Sequence, residues 1–118
     1  HILDMINIYF IILKQPNEKI AKKIFNAGYE NQKVIDLADI VKEVIGNDVQ
    51  IIKEVTDDNR SYHISSEKIK NELDFLPQHS IKDAVIELKN AFEKNLITNS
   101  FNNENYFNIK KMQSLKLE

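Results

Sequence analysis

The chain has 118 residues, of which 42% are hydrophobic and 29% charged, as expected for one ordinary globular domain. Its 16 Lys and Arg residues against 18 Asp and Glu residues give a net charge of -2, which argues against a nucleic-acid-binding surface because such surfaces need a basic excess. The absence of Cys excludes disulfides, thiolate metal sites and cysteine nucleophiles, and it is compatible with the cytoplasmic location that we expect. With only Gly28 and Gly46 present, a glycine-rich phosphate-binding loop is also excluded.

The chain opens on an apolar segment, from Ile2 to Leu13, interrupted only by Asp4 and Asn7. The segment is too short to cross a bilayer, so we expect no membrane partner. It predicts a helix that ends before Pro16 and is apolar on nearly every side. Because a small domain cannot easily cover such a helix, and because the chain lacks a starting Met, we expect it to begin in the middle of a longer protein.

Three more helices are predicted further along the chain. Apolar residues at helical spacing predict one from Val34 to Ile45, stopped by Gly46. A second begins at Ser65 or Ser66 and runs to the Leu76-Pro77 break. A third begins at the capping box formed by Ser80 and Asp83.

Short strands are predicted between these helices, at residues 23–27, at 49–55 and at Ser61 to Ile64. The expected fold class is therefore α+β, dominated by helices, with a small sheet of two or three short strands. We place one domain at residues 1–98 and an Asn-rich C-terminal tail at 99–118, which docks or frays.

A cluster of chemically active side chains occupies residues 57–63, between a predicted strand and a predicted helix. It contains Arg60, the only Arg of the chain, and Tyr62. Arg60 is suited to clamp a phosphate with two parallel N–H bonds, and Tyr62 offers a stacking face or a phenolic donor. The alternative is a solvated turn in which Asp58 caps or pairs with Arg60.

Other patterns carry less weight. Tyr29 and Lys33 satisfy Tyr-x-x-x-Lys, but we place them in a loop, where they cannot act as a catalytic pair one helical turn apart. The three His residues are far apart in the sequence, so no metal site is expected. Ser65 and Ser66 are interpreted as helix caps rather than nucleophiles. No catalytic residue is assigned to this chain.

Five motifs, in this order, resemble the C-terminal part of the extended short-chain dehydrogenase/reductase family, the NAD-dependent nucleotide-sugar epimerases and dehydratases. The motifs cover residues 1 to about 96 and read His1-Ile2-Leu3-Asp4, Phe25-Asn26-Ala27-Gly28, Asp58-Asn59-Arg60-Ser61-Tyr62, Lys68-Ile69-Lys70-Asn71-Glu72-Leu73-Asp74-Phe75-Leu76-Pro77 and Ser80-Ile81-Lys82-Asp83-Ala84.

The resemblance implies that the chain is a C-terminal fragment of an α/β Rossmann-type enzyme. The NAD-binding Rossmann domain, with the catalytic residues, would lie upstream, so the resemblance implies no cofactor in this chain and no activity from it alone. Its partners would be a nucleotide sugar and that upstream domain, against which the first helix would lie.

For the site, the resemblance implies substrate-binding roles for Asn26, near the nucleotide, and for Arg60 and Tyr62. The chain departs from the family where many members carry a phosphate-contacting Arg, because Val55 occupies that position. Arg60 is then the substitute, or the site is reshaped. Asp74 replaces a family Gly in a helix-ending turn, a conformation that Asp tolerates better than most residues.

An alternative of a different class is a non-enzymatic helical interaction module. Its support is the apolar segment from Ile2 to Leu13, which would serve as a face for a partner or for self-association.

Overall fold

The computed structural model describes residues 1–55 and 61–116. Within them the chain forms six α-helices and one 3-10 helix in two compact units, His1–Ile86 and Glu87–Glu118. In chain order the elements are α1 (Ile2–Leu13), α2 (Asn17–Ile20), α3 (Val34–Ile45), α4 (Glu67–Leu73), α5 (Ile81–Glu93), the 3-10 helix (Glu104–Tyr106) and α6 (Asn108–Ser114).

The predicted α+β fold class is wrong, because the described residues contain helices and no strand or sheet. Residues 23–27, 49–55 and 61–64 do not join a backbone ladder. The alternating apolar residues favour an extended chain, but a strand also needs a neighbouring strand that pairs with its N–H and C=O groups. The prediction took the first condition as sufficient.

Side chains supply the hydrogen bonds that hold the extended segments together in the first unit. The Asn31 amide pairs with the backbone of Ile64 in both directions, donating to its carbonyl at 3.0 Å and accepting from its N–H at 2.9 Å. Lys68 Nζ donates to the Ile24 carbonyl at 2.8 Å. The segment that contains the Phe25–Gly28 motif is therefore attached to the start of α4 without a sheet.

The core of the first unit is small. Its buried apolar residues are Ile8 of α1, Ile69 and Leu73 of α4, and Phe75 just beyond α4. Half-buried apolar residues surround them: Ile11, Ile12, Ile20, Phe25 and Ala27. Because α1 and α4 supply most of the core, these two helices fix the positions of the segments between and after them.

The predicted helices are confirmed, with their ends close to the expected residues. α3 ends at Ile45 with Gly46 as its C-cap, and Asp74 follows α4 with φ 53° and ψ 27°, in the left-handed conformation that the resemblance implies for it. At the start of α5, the Asp83 carboxylate accepts from Ser80 N–H at 2.8 Å and from the Ser80 hydroxyl at 2.7 Å. These bonds hold the pKa of Asp83 below its usual range.

The second unit includes the predicted C-terminal tail, and residues 104–114 of that tail contain the 3-10 helix and α6. Lys111 Nζ lies 2.9 Å from the Glu104 carboxylate, which also accepts from the Ser114 hydroxyl at 3.3 Å. Hydrogen bonding to Lys111 lowers the pKa of Glu104. Across residues 1–55 and 61–116, no helix has the length and hydropathy that a membrane span requires.

Candidate functional site

The Asp4 carboxylate, in the first turn of α1, is the one charged group buried among the described residues, with 5% of the residue exposed. It accepts hydrogen bonds from the N–H groups of Gln78 and His79, each at 3.0 Å. The ring Nδ1 of His79 lies 3.0 Å from Asp4 Oδ1 and completes the set. Asp4 thereby attaches the start of α1 to the loop before α5.

These contacts set the charge state of Asp4. Burial is the largest influence and raises the pKa of the Asp4 carboxyl, but the hydrogen bonds from Gln78 N–H and from the ring and N–H of His79 together outweigh it and lower the pKa. The carboxylate is therefore ionised at neutral pH, and the His79 Nδ1 must carry the proton that it shares. Since protein groups already bind its oxygens, Asp4 is suited to a positioning role rather than to proton transfer.

A second histidine extends this cluster. The His1 ring stacks on the His79 ring with 4.5 Å between centroids and 18° between planes. His1 Nδ1 also accepts from Leu3 N–H at 3.3 Å and caps α1. Two residues of the first motif are thus attached to one loop, by a stack and by hydrogen bonds.

Two adjoining cavities lie beside this cluster, lined in common by Gly28, Tyr29, Phe75 and Pro77. The first is about 50 Å³ in volume and is bordered by α1, and the second is about 210 Å³ and reaches Ser66 and Lys70. Both are below the roughly 300 Å³ typical of sites for drug-sized ligands. They are therefore suited to a small group rather than to a whole nucleotide.

A wider cleft of about 620 Å³ lies between residues 31–34 and residues 61–63. Its walls carry the Asn31 and Gln32 amides, the Lys33 ammonium, the Tyr62 phenol and the His63 imidazole. Tyr62 is 75% exposed, so its ring and hydroxyl are accessible to a ligand. The Asn31 amide is bonded to the Ile64 backbone, but the Gln32, Lys33, Tyr62 and His63 side chains suit a polar or anionic ligand.

The predicted site residues have different outcomes. Tyr62 lines the wide cleft, whereas Asn26 is exposed on the segment before Gly28 and lines none of the three cavities. Arg60 lies outside the described residues. Tyr29 and Lys33 precede α3 in a non-helical segment, as predicted.

The contacts made by Asp4 and Ser66 were not predicted from the sequence. Ser66 stands at the N-cap position of α4, but its hydroxyl accepts from Gly28 N–H at 2.7 Å rather than capping the helix. One residue of each contact, Asp4 and Gly28, belongs to a family-like motif and could be singled out from the sequence. Their partners, His79 and Ser66, lie 75 and 38 positions away, so the local sequence pattern could not identify them.

Both glycines of the chain have close polar neighbours: Gly28 N–H is bonded to the Ser66 hydroxyl, and an Asp48 carboxylate oxygen lies beside Gly46. No group of three or more potential metal ligands occurs in residues 1–55 and 61–116.

Comparisons with protein-family models, with curated proteins and with solved structures found no match for this chain.

Proposed function

We propose that the chain is the substrate-binding portion of an NAD-dependent nucleotide-sugar epimerase or dehydratase of the extended short-chain dehydrogenase/reductase family. The observation that carries the proposal is the presence of five family-like motifs in the family's order between His1 and Ala84. In this proposal the chain binds the nucleoside diphosphate of the substrate, and a separate NAD-binding part carries out the chemistry at the sugar.

Contacts between motifs support the proposal. The second and fourth motifs meet where Lys68 Nζ lies 4.9 Å from the centre of the Phe25 ring. The first motif meets the loop between the fourth and fifth through Asp4 and His79. If the motifs belong to one family fold, their residues must pack together in one unit although they are far apart in the sequence. These contacts meet that requirement.

Three side chains are proposed to contact the substrate. Tyr62 is available in the wide cleft and Asn26 is exposed. For Arg60 the proposal rests on chemistry, because a guanidinium can bind a phosphate with two parallel hydrogen bonds whereas an ammonium cannot.

The first test is binding of nucleoside diphosphates to the 118-residue chain, followed by NMR. We expect one of UDP, GDP, CDP or dTDP to shift the Asn26 and Tyr62 resonances in a saturable way. Arg60→Gln is expected to weaken binding about 10-fold or more through loss of a charge-assisted pair. Lys53→Gln is the matched control, since it removes the same charge from a position seven residues earlier in the sequence. Equal weakening by both variants would show unspecific attraction and contradict the proposed site.

The second test concerns the coding sequence upstream of the His1 codon. We expect it to encode a Gly-x-x-Gly-x-x-Gly loop and a Tyr-x-x-x-Lys pair, and the longer polypeptide to convert a nucleotide sugar in an NAD-dependent reaction. An upstream sequence without a Rossmann pattern would refute the proposal.

A second candidate function is a non-enzymatic interaction module, favoured by the exposed apolar side chains of α1. Such a module would show no saturable response to any nucleoside diphosphate.

A further inference from the structure

Helix α1 has two apolar faces, and the first unit covers only one of them. The covered face contains Asp4 and Ile8, which are buried, and Ile11 and Ile12, which are half-buried. At 100° per residue the opposite face is an arc of about 120°. Its six residues are between 44% and 80% exposed: Ile2, Leu3, Ile6, Tyr9, Phe10 and Leu13. We call this arc the outer face of α1.

The outer face has the properties of a surface that is buried against another protein surface. An apolar arc of about 100° or more is typical of the side of a helix that faces a core. The only charged residue of α1, Asp4, lies on the covered face, so burial of the outer face would desolvate no charge. Its side chains include two aromatic rings, which supply large contact areas at low cost in conformational entropy.

We propose that a second copy of this chain covers the outer face, with the two α1 helices packed against each other in antiparallel orientation around a two-fold axis. A two-fold interface joins a surface to itself, and an uncharged apolar arc is complementary to itself without any requirement for opposite charges. The antiparallel orientation also places the positive end of each helix dipole beside the negative end of the other.

The exposed area of the outer face is close to the area that a second copy of the chain would need to bury. With about 200 Å² for a fully exposed large apolar side chain, the exposed fractions of the six residues correspond to roughly 700 Å² per copy. A stable interface of standard size buries about 800 Å² on each partner. The outer face therefore supplies most of the area, and residues at its margins, such as Met5, would supply the rest.

This inference does not depend on nucleotide-sugar binding. The family resemblance places the same helix against an upstream domain, so the two uses of the outer face exclude each other, and a dimer is the expected state when that domain is absent.

Sedimentation equilibrium of the 118-residue chain tests the proposal. We expect a concentration-dependent approach to twice the 13.8 kDa mass of one chain. Phe10→Glu places a charge in the centre of the outer face and is expected to raise the dimer dissociation constant about 30-fold or more. Ile52→Glu is the matched control, because Ile52 is an equally apolar residue that is 79% exposed outside α1.

Far-UV circular dichroism of each variant verifies that the helices remain, and Tyr9→Lys provides a second, independent disruption of the outer face. A chain that stays monomeric at all accessible concentrations would overturn the proposal. So would a dimer that responds to Ile52→Glu as strongly as to Phe10→Glu. Loss of the dimer in both α1 variants, with the control unchanged, would support it.

Discussion

The attachment of α1 by Asp4 predicts that Asp4→Ala destabilises the first unit. The substitution leaves the N–H groups of Gln78 and His79, and the His79 ring, without the acceptor that they share. It also removes the hydrogen bonds that join the start of α1 to the loop before α5, and leaves the stack of His1 on His79 between them. The effect should be large for this protein, because only four buried apolar residues form the core within the part of the chain that the structure describes.

The magnitude follows from the contacts. A buried group left without its partner costs about 1–3 kcal/mol, and water can reach the two N–H groups in part, so we expect Asp4→Ala to reduce the free energy of unfolding by about 2 kcal/mol. Asp4→Asn keeps one acceptor oxygen but loses the charge that strengthens the hydrogen bonds, so its cost is expected to be about 1 kcal/mol.

Urea denaturation followed by circular dichroism at 222 nm measures the change. With a slope of about 1–2 kcal/mol per M for a small domain, Asp4→Ala should move the midpoint down by roughly 1–2 M. Asp39→Ala is the control, because Asp39 is an exposed aspartate on α3. If the two alanine variants unfold at the same midpoint, the Asp4 hydrogen bonds do not hold α1 in place.

The same site predicts a dependence on pH. Because the folded protein lowers the pKa of Asp4, the stabilisation from its carboxylate is fully present above the unfolded pKa, near 3.9. It is lost as the pH falls from that value through the lower folded pKa. The stability difference between wild type and Asp4→Asn should therefore shrink as the pH falls below about 4. A difference that stays the same from pH 4 downward would contradict a lowered pKa for Asp4.

Two further substitutions test local geometry in the first unit. Asp74→Gly should stabilise the protein by about 0.5–1 kcal/mol, because glycine adopts the left-handed φ of 53° without steric cost, and a lower melting temperature would refute this reasoning. Ser66→Ala should destabilise the protein by about 1 kcal/mol and speed hydrogen exchange at Gly28 N–H, whose acceptor is lost. Unchanged exchange at Gly28 would mean that this hydrogen bond does not form in solution.

The local sequence pattern was sufficient to predict structure wherever a segment forms its backbone hydrogen bonds within itself. The spacing of apolar residues located α1 and α3, Gly46 marked the end of α3, and Ser80 with Asp83 marked the start of α5. A helix forms its hydrogen bonds within a few residues, so its position can be inferred from those residues alone.

The extended segments show where local pattern failed. Whether residues 23–27 form a strand depends on a partner strand elsewhere in the chain. Here side chains take that place: Lys68 bonds the Ile24 carbonyl, Ser66 bonds Gly28 N–H and Asn31 bonds the backbone of Ile64. The candidate site depends on the same kind of information. The side chains that line the wide cleft come from residues 31–34 and 61–63, and only the packing of the first unit brings these two segments together.

The sequence by itself therefore determined helices α1, α3, α4 and α5 and the apolar character of α1 on both of its faces. Only the tertiary structure decided that the extended segments do not pair as strands, that Asp4 is bound by His79, and which face of α1 is exposed. The physical reason is range: helix formation and turn conformation are set by neighbouring residues, whereas pairing and burial are set by contacts between residues that are far apart in the chain.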